Sequence, residues 1–119
     1  MEQRRDDELL VVCLCANWCK ACTEFRATFD RLVASNDAAR FVWLDVEDDS
    51  ALVGDIEIEN FPTLAVFRGE KPLFYGVTMP QEGVVALTLA SLDRPDRDPI
   101  EVPEEIAGLP GALSERPAR

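Results

Sequence analysis

The chain of 119 residues contains no histidine. That absence excludes imidazole acid-base catalysis, Cys-His and Ser-His dyads, and every metal site that needs a His ligand. Positive charge is scarce: 12 Lys plus Arg stand against 23 Asp plus Glu, a formal charge of -11. Such a surface repels phosphate backbones and anionic lipid, so neither nucleic acid nor membrane is expected as a partner. No stretch approaches the roughly 20 apolar residues of a membrane span. A secretory leader is not evident either, because Asp6, Asp7 and Glu8 follow Arg4 and Arg5 at once and the next apolar run is short. A cytoplasmic, reducing setting is expected, and there clustered cysteines point to catalysis or metal binding before structural disulfides.

What remains is one ordinary domain, 47% apolar, with four cysteines as its most reactive groups. Leu9 to Cys15 is a short continuous apolar run, the pattern of a strand covered on both faces. From Cys19 to Ala34 the residues Cys22, Phe25, Phe29, Leu32 and Val33 recur at helical spacing. Phe41–Val46 reads as a second strand, and Asp48-Asp49-Ser50 caps a short helix to about Asp55. After Phe61-Pro62, Thr63–Phe67 and Pro72–Val77 form a hairpin around Arg68-Gly69-Glu70-Lys71. Thr78-Met79-Pro80-Gln81 opens a last helix burying Val84, Val85, Leu87, Leu89 and Leu92. The order is β-α-β-α-β-β-α, an α/β domain over residues 1–92. Residues 93–119 hold five of the eight prolines. They read as an acidic tail, disordered or loosely docked through Ile100, Val102, Ile106 and Leu109.

Trp18-Cys19-Lys20-Ala21-Cys22 lies where the first strand passes into the first helix. Unpaired N–H groups and the partial positive charge of a helix start favour a thiolate, and Lys20 adds a cation. Two intervening residues keep the second sulfur within disulfide range but deeper in the helix. Cys19 is then a nucleophile toward a substrate disulfide, and Cys22 resolves the mixed disulfide, leaving Cys19 and Cys22 oxidised. Trp18 is an active-site lid or core filler.

The block from Ala16 to Cys22, Phe61-Pro62-Thr63 before a strand, and Gly76 in the last strand resemble the thioredoxin superfamily. The resemblance spans about residues 9–92. It implies a thioredoxin-like fold, a four-stranded mixed sheet flanked by helices, with a trimmed N-terminus. It also implies that Pro62 is cis beside the disulfide and that the backbone of Phe61 pairs with a bound substrate strand. Protein disulfides and a thiol/disulfide reductase become the expected partners of a monomer without a cofactor. Cys13 stands where thioredoxins carry a buried acid that assists the resolving cysteine, and Cys15 stands where they carry an aromatic. Deprotonation of Cys22 then needs another acceptor, Glu24 or water.

Cys13 and Cys15 alternate along a strand and share one face. They are two small buried hydrophobes, or auxiliary redox groups, with Cys15 exchanging with Cys19. A rival reading gathers Cys13, Cys15, Cys19 and Cys22 around zinc or an iron-sulfur cluster. A third reading keeps the fold as a redox-weak protein-binding adaptor.

Overall fold

The computed structural model describes residues 9–16, 18–35, 39–47, 62–77, 81–92 and 98–113. Their elements are β1 (Leu9–Cys15), α1 (Lys20–Ser35), β2 (Ala39–Asp45), β3 (Thr63–Arg68) and β4 (Lys71–Val77), followed by three helices. We label these α2 (Glu82–Leu92), α3 (Glu104–Ala107) and α4 (Leu109–Leu113). The helix expected from residue 48 to about 55, the residues Thr78 to Pro80 and the substrate-binding position Phe61 lie outside the described residues.

The four strands make one mixed sheet in the order β2-β1-β3-β4. β1 runs parallel to β2 and antiparallel to β3, and β3 and β4 form the hairpin. Gly69 turns that hairpin at φ 62°, a conformation that costs glycine nothing because it has no Cβ. The register shifts between Val66 and Phe67, where Phe67 faces Pro72 and Val66 faces Phe74. Pro72 sits on the edge strand, where its missing N–H breaks no interior ladder.

β1 is buried along its whole length, and its alternate side chains build two cores. Leu9, Val11, Cys13 and Cys15 face α1 and α2, packing with Cys22, Phe25, Phe29, Leu32, Val85, Leu89 and Leu92. On α1 the buried stripe follows the 3.6-residue period, and Lys20–Glu24 and Arg26–Asp30 pair across one turn on the helix surface. Arg31 Nε donates to Glu82 Oε1 at 2.7 Å, tying α1 to the first turn of α2.

The buried stripe of α2 is Val85, Leu89 and Leu92. Val84 and Leu87, expected inside, point outward at 40% and 73% exposure. Apolar residues occupy nearly every side of this helix, so composition does not mark the inner face. Packing against the core beside α1 selects the face carrying Val85, Leu89 and Leu92.

Leu10, Val12 and Leu14 face the other way and meet Val42, Leu44, Ala65 and Phe67. That second face is covered by residues 98–113. Ile106, Leu109 and Leu113 are essentially inaccessible in the same cluster, and Val102 packs beside them. Ile100 N–H donates to the Pro72 carbonyl at 2.8 Å, and Arg40 Nη2 donates to the Leu113 carbonyl at 2.9 Å. Within the extension read as disordered or loosely docked, these residues therefore form a packed layer. The physical reason is that β1 and β3 are apolar on both faces, and the second face needs a cover.

Candidate functional site

The site forms where β1 ends and α1 begins. Cys19 N–H donates to the Ala16 carbonyl at 3.0 Å, closing the turn. Thr23 N–H and Oγ1 both donate to the Cys19 carbonyl, at 3.1 and 3.2 Å. Cys19 thus occupies the capping position of α1, where the helix presents its unpaired N–H groups. Its thiol is free and half-buried, and the residue packs against the core cluster that contains Cys13, Cys15 and Cys22.

Cys22 stands almost one turn further along, 1% exposed. Its sulfur is bonded to Cys15, with Cα atoms 5.7 Å apart, within the usual span of a disulfide. The sequence reading joins Cys22 to Cys19, whereas the structure joins it to Cys15. The reason is positional. Cys15 ends β1 on the face that α1 covers, and the inward stripe of α1 begins at Cys22. The available signal was period two along β1 combined with period 3.6 along α1, which sets Cys15 and Cys22 face to face.

Cys13 lies on the same face, fully buried, with its Sγ 3.7 Å from that of Cys15. Burial pushes the Cys13 thiol far above the ordinary range, and the Arg26 guanidinium opposes this only in part. At neutral pH it is therefore a thiol with a proton to donate toward the neighbouring sulfur. Among the described residues, no three His, Cys, Asp or Glu side chains are grouped to hold a metal ion.

Trp18 is 66% exposed, and its indole Nε1–H donates to Glu47 Oε2 at 3.1 Å. Glu47 is held in turn by its own N–H, which donates to Asp45 Oδ1 at 2.8 Å. Asp45 closes β2 as a buried residue. Lys20 and Glu24 are both exposed and pair with each other at 3.9 Å. Glu24 is thus on the solvent side of α1, away from the buried stripe that carries Cys22, and makes a poor proton acceptor for that residue.

Pro62 is buried just before β3. Leu14 pairs with Thr63, and the same register continued by one residue sets Pro62 opposite Cys15. A cavity of about 320 Å³ opens beside Cys22, lined also by Ala16, Thr23, Arg26 and Trp43. The Arg26 guanidinium lies over the Trp43 ring at 4.8 Å, a favourable cation-π contact. Behind it Trp43 meets the edge of Phe29 at 5.1 Å. One wall of the opening is therefore firmly packed.

Among the described residues, no helix is long and apolar enough to cross a membrane. The family model described as Thioredoxin matches residues 2–92. Thioredoxin-2 of Saccharomyces cerevisiae is 31% identical over 65 residues, covering 55% of this chain and 62% of the relative. The chain thus spans about three fifths of the length of that curated relative. Deadhead, the germline-specific thioredoxin of Drosophila melanogaster, superposes with a TM-score of 0.63 at 25% identity. That superposition covers 73% of this chain and 83% of Deadhead. Thioredoxin f2, solved in complex with ferredoxin:thioredoxin reductase, shares the fold with a TM-score of 0.64 at 18% identity, covering 74% of this chain and 80% of its own. A family match over most of the chain, a mixed four-stranded sheet in the order described, and a Cys-x-x-Cys pair at the strand-helix junction agree: the chain belongs to the thioredoxin family.

Proposed function

We propose that this protein is a thiol-disulfide oxidoreductase that acts on protein disulfides through Cys19 and Cys22. The observation that carries the reading is the placement of Cys19. It is a free, half-buried thiol at the capping position of α1, with Cys22 buried almost one turn deeper. The Cys19 sulfur can meet a substrate disulfide from outside, whereas the Cys22 sulfur lies in the core.

In the reaction, the Cys19 thiolate attacks one sulfur of the substrate disulfide. The substrate S–S bond breaks, a mixed disulfide forms, and the other substrate sulfur leaves as a thiolate. The Cys22 thiolate then attacks Cys19 Sγ, releasing the second substrate thiol and leaving Cys19 and Cys22 joined. Two electrons pass from the protein to the substrate. A thiol-donating reductase closes the cycle, and the pairing of thioredoxin f2 with such an enzyme makes a reductase a reasonable partner class for this chain.

The other residues take supporting roles. Trp18, fixed through Glu47, flanks Cys19 and shields the mixed disulfide from water. Lys20 adds positive charge beside the nucleophile, screened by solvent and by Glu24. Pro62, cis as family membership implies, and the backbone of Phe61 align the substrate strand. The opening beside Cys22, between Arg26, Trp43 and Thr23, receives part of the substrate. The protein works as a monomer in a cytoplasmic, reducing setting.

The test is reduction of insulin disulfides with dithiothreitol as the electron donor. Wild-type protein accelerates the reaction, and Cys19→Ser returns it to the uncatalysed rate. Full activity in Cys19→Ser would remove Cys19 from the nucleophile's role. An inactive wild-type protein would favour the adaptor reading.

A further inference from the structure

A dithiol exchange requires two cysteines, yet four gather where β1 passes into α1. Cys15 is bonded to Cys22, Cys13 lies 3.7 Å from Cys15, and Cys19 packs against the same cluster with its own thiol free. Cys15 is completely buried and Cys22 nearly so, whereas Cys19 reaches the surface. Cys22 therefore stands between a buried partner on β1 and a surface partner at the head of α1.

We propose that Cys15 is a third exchanging residue, so that a disulfide formed at Cys19 and Cys22 passes inward to Cys15 and Cys22. This deepens the function proposed above and rests on it. The Cys15 thiolate attacks Cys22 Sγ of the Cys19–Cys22 disulfide. The Cys15–Cys22 bond forms, the Cys19–Cys22 bond breaks, and Cys19 leaves as a thiolate. The proton given up by Cys15 goes to solvent, and Cys19 takes one back. One disulfide replaces another, so no oxidant or reductant is consumed.

Two features favour the inward direction. An ionised sulfur inside an apolar core is costly, and transfer leaves the free sulfur at the surface, on Cys19, instead of in the core, on Cys15. The Cys13 thiol, with its sulfur 3.7 Å away, is a donor toward Cys15 while Cys15 is the attacking thiolate. The outcome is a protein with two oxidised forms. In one, the disulfide sits at the surface, open to a reductase. In the other it is enclosed, and Cys19 is a lone thiol without a resolving partner. That second form captures an incoming disulfide and holds it, because Cys22 is occupied.

Mapping the disulfides tests this directly. Fully reduced wild-type protein is oxidised with glutathione disulfide, quenched with N-ethylmaleimide and cleaved after Trp18 and Phe25. The peptide Cys19–Phe25 contains both cysteines of the motif, while Cys15 falls on a separate peptide. The proposal expects the two peptides linked through Cys22, with maleimide on Cys19. A closed loop within Cys19–Phe25, with maleimide on Cys15, would overturn the proposal and leave the Cys19–Cys22 pair intact. No disulfide at either Cys19 or Cys22 would overturn the underlying function as well. The route is tested by Cys19→Ser, where formation of the Cys15–Cys22 link is expected to slow by at least about tenfold, because glutathione reaches the buried sulfurs poorly. Formation at the wild-type rate would show that the link does not arise through Cys19.

Discussion

Replacing Ile106 by alanine would remove a side chain that is wholly inaccessible against the outer face of the sheet. Beneath it lie Leu10, Val12, Leu14, Val42, Leu44, Ala65 and Phe67, with Leu109 and Leu113 in the same cluster. Most of these residues belong to hydrogen-bonded strands that cannot move into the space, so the site relaxes little. Loss of such a side chain costs about 2–5 kcal/mol, and a rigid floor places this one near 3 kcal/mol or above. For 119 residues the unfolding entropy is about 0.25 kcal/mol/K, so roughly 3 kcal/mol lowers Tm by about 12 °C. The assay is urea and thermal unfolding at neutral pH, with Leu87→Ala as the comparison. Leu87 is 73% exposed on α2, and its truncation is expected to change stability by no more than about 0.5 kcal/mol. If Ile106→Ala cost no more than Leu87→Ala, residues 98–113 would not be part of the core.

Three further outcomes follow from particular contacts. Arg40→Ala leaves the buried Leu113 carbonyl without its guanidinium donor and is expected to cost about 1.5–3 kcal/mol; unchanged urea unfolding would show that this anchor of α4 contributes nothing. The Cys13 thiol is raised by burial from about 9, so above that pH the unfolded chain loses a proton that the folded chain keeps. Unfolding free energy should then fall by up to about 1.4 kcal/mol per pH unit above about pH 9, and Cys13→Ala, with Cys19 capped by iodoacetamide in both proteins, should lack this component. Parallel profiles for the two proteins would contradict the burial argument. Trp18→Ala, at an exposed position, should alter stability by less than about 0.5 kcal/mol while slowing insulin reduction several-fold. An unchanged rate would remove Trp18 from the site.

Much of the fold was legible because its signals are local. The apolar run Leu9–Cys15 announces a strand covered on both faces, and Cys22, Phe25, Phe29 and Leu32 announce the inner face of α1. Gly69 marks the hairpin. The motif at Cys19 and Cys22 was visible for the same reason, since a turn and a helix start are written in adjacent residues. Less visible were features set by distant partners. Val84 and Leu87 look as apolar as Val85 and Leu89, and only the position of α1 selects among them. Ile106, Leu109 and Leu113 repeat at helical spacing among prolines that suggest an extension, but their burial depends on a sheet face built from strands as far back as Leu10. The pairing of Cys15 with Cys22 joins a strand period to a helix period. Neither period alone distinguishes it from a bond between Cys19 and Cys22.

The central claim is that Cys19 receives the substrate and Cys22 releases it. Cys22→Ser removes the resolving sulfur, so a mixed disulfide formed with insulin should persist. Peptide mapping of that adduct is predicted to place the insulin chain on Cys19, with Cys13 and Cys15 unmodified by insulin. An adduct on Cys15, or no adduct under conditions where wild-type protein reduces insulin, would contradict the account.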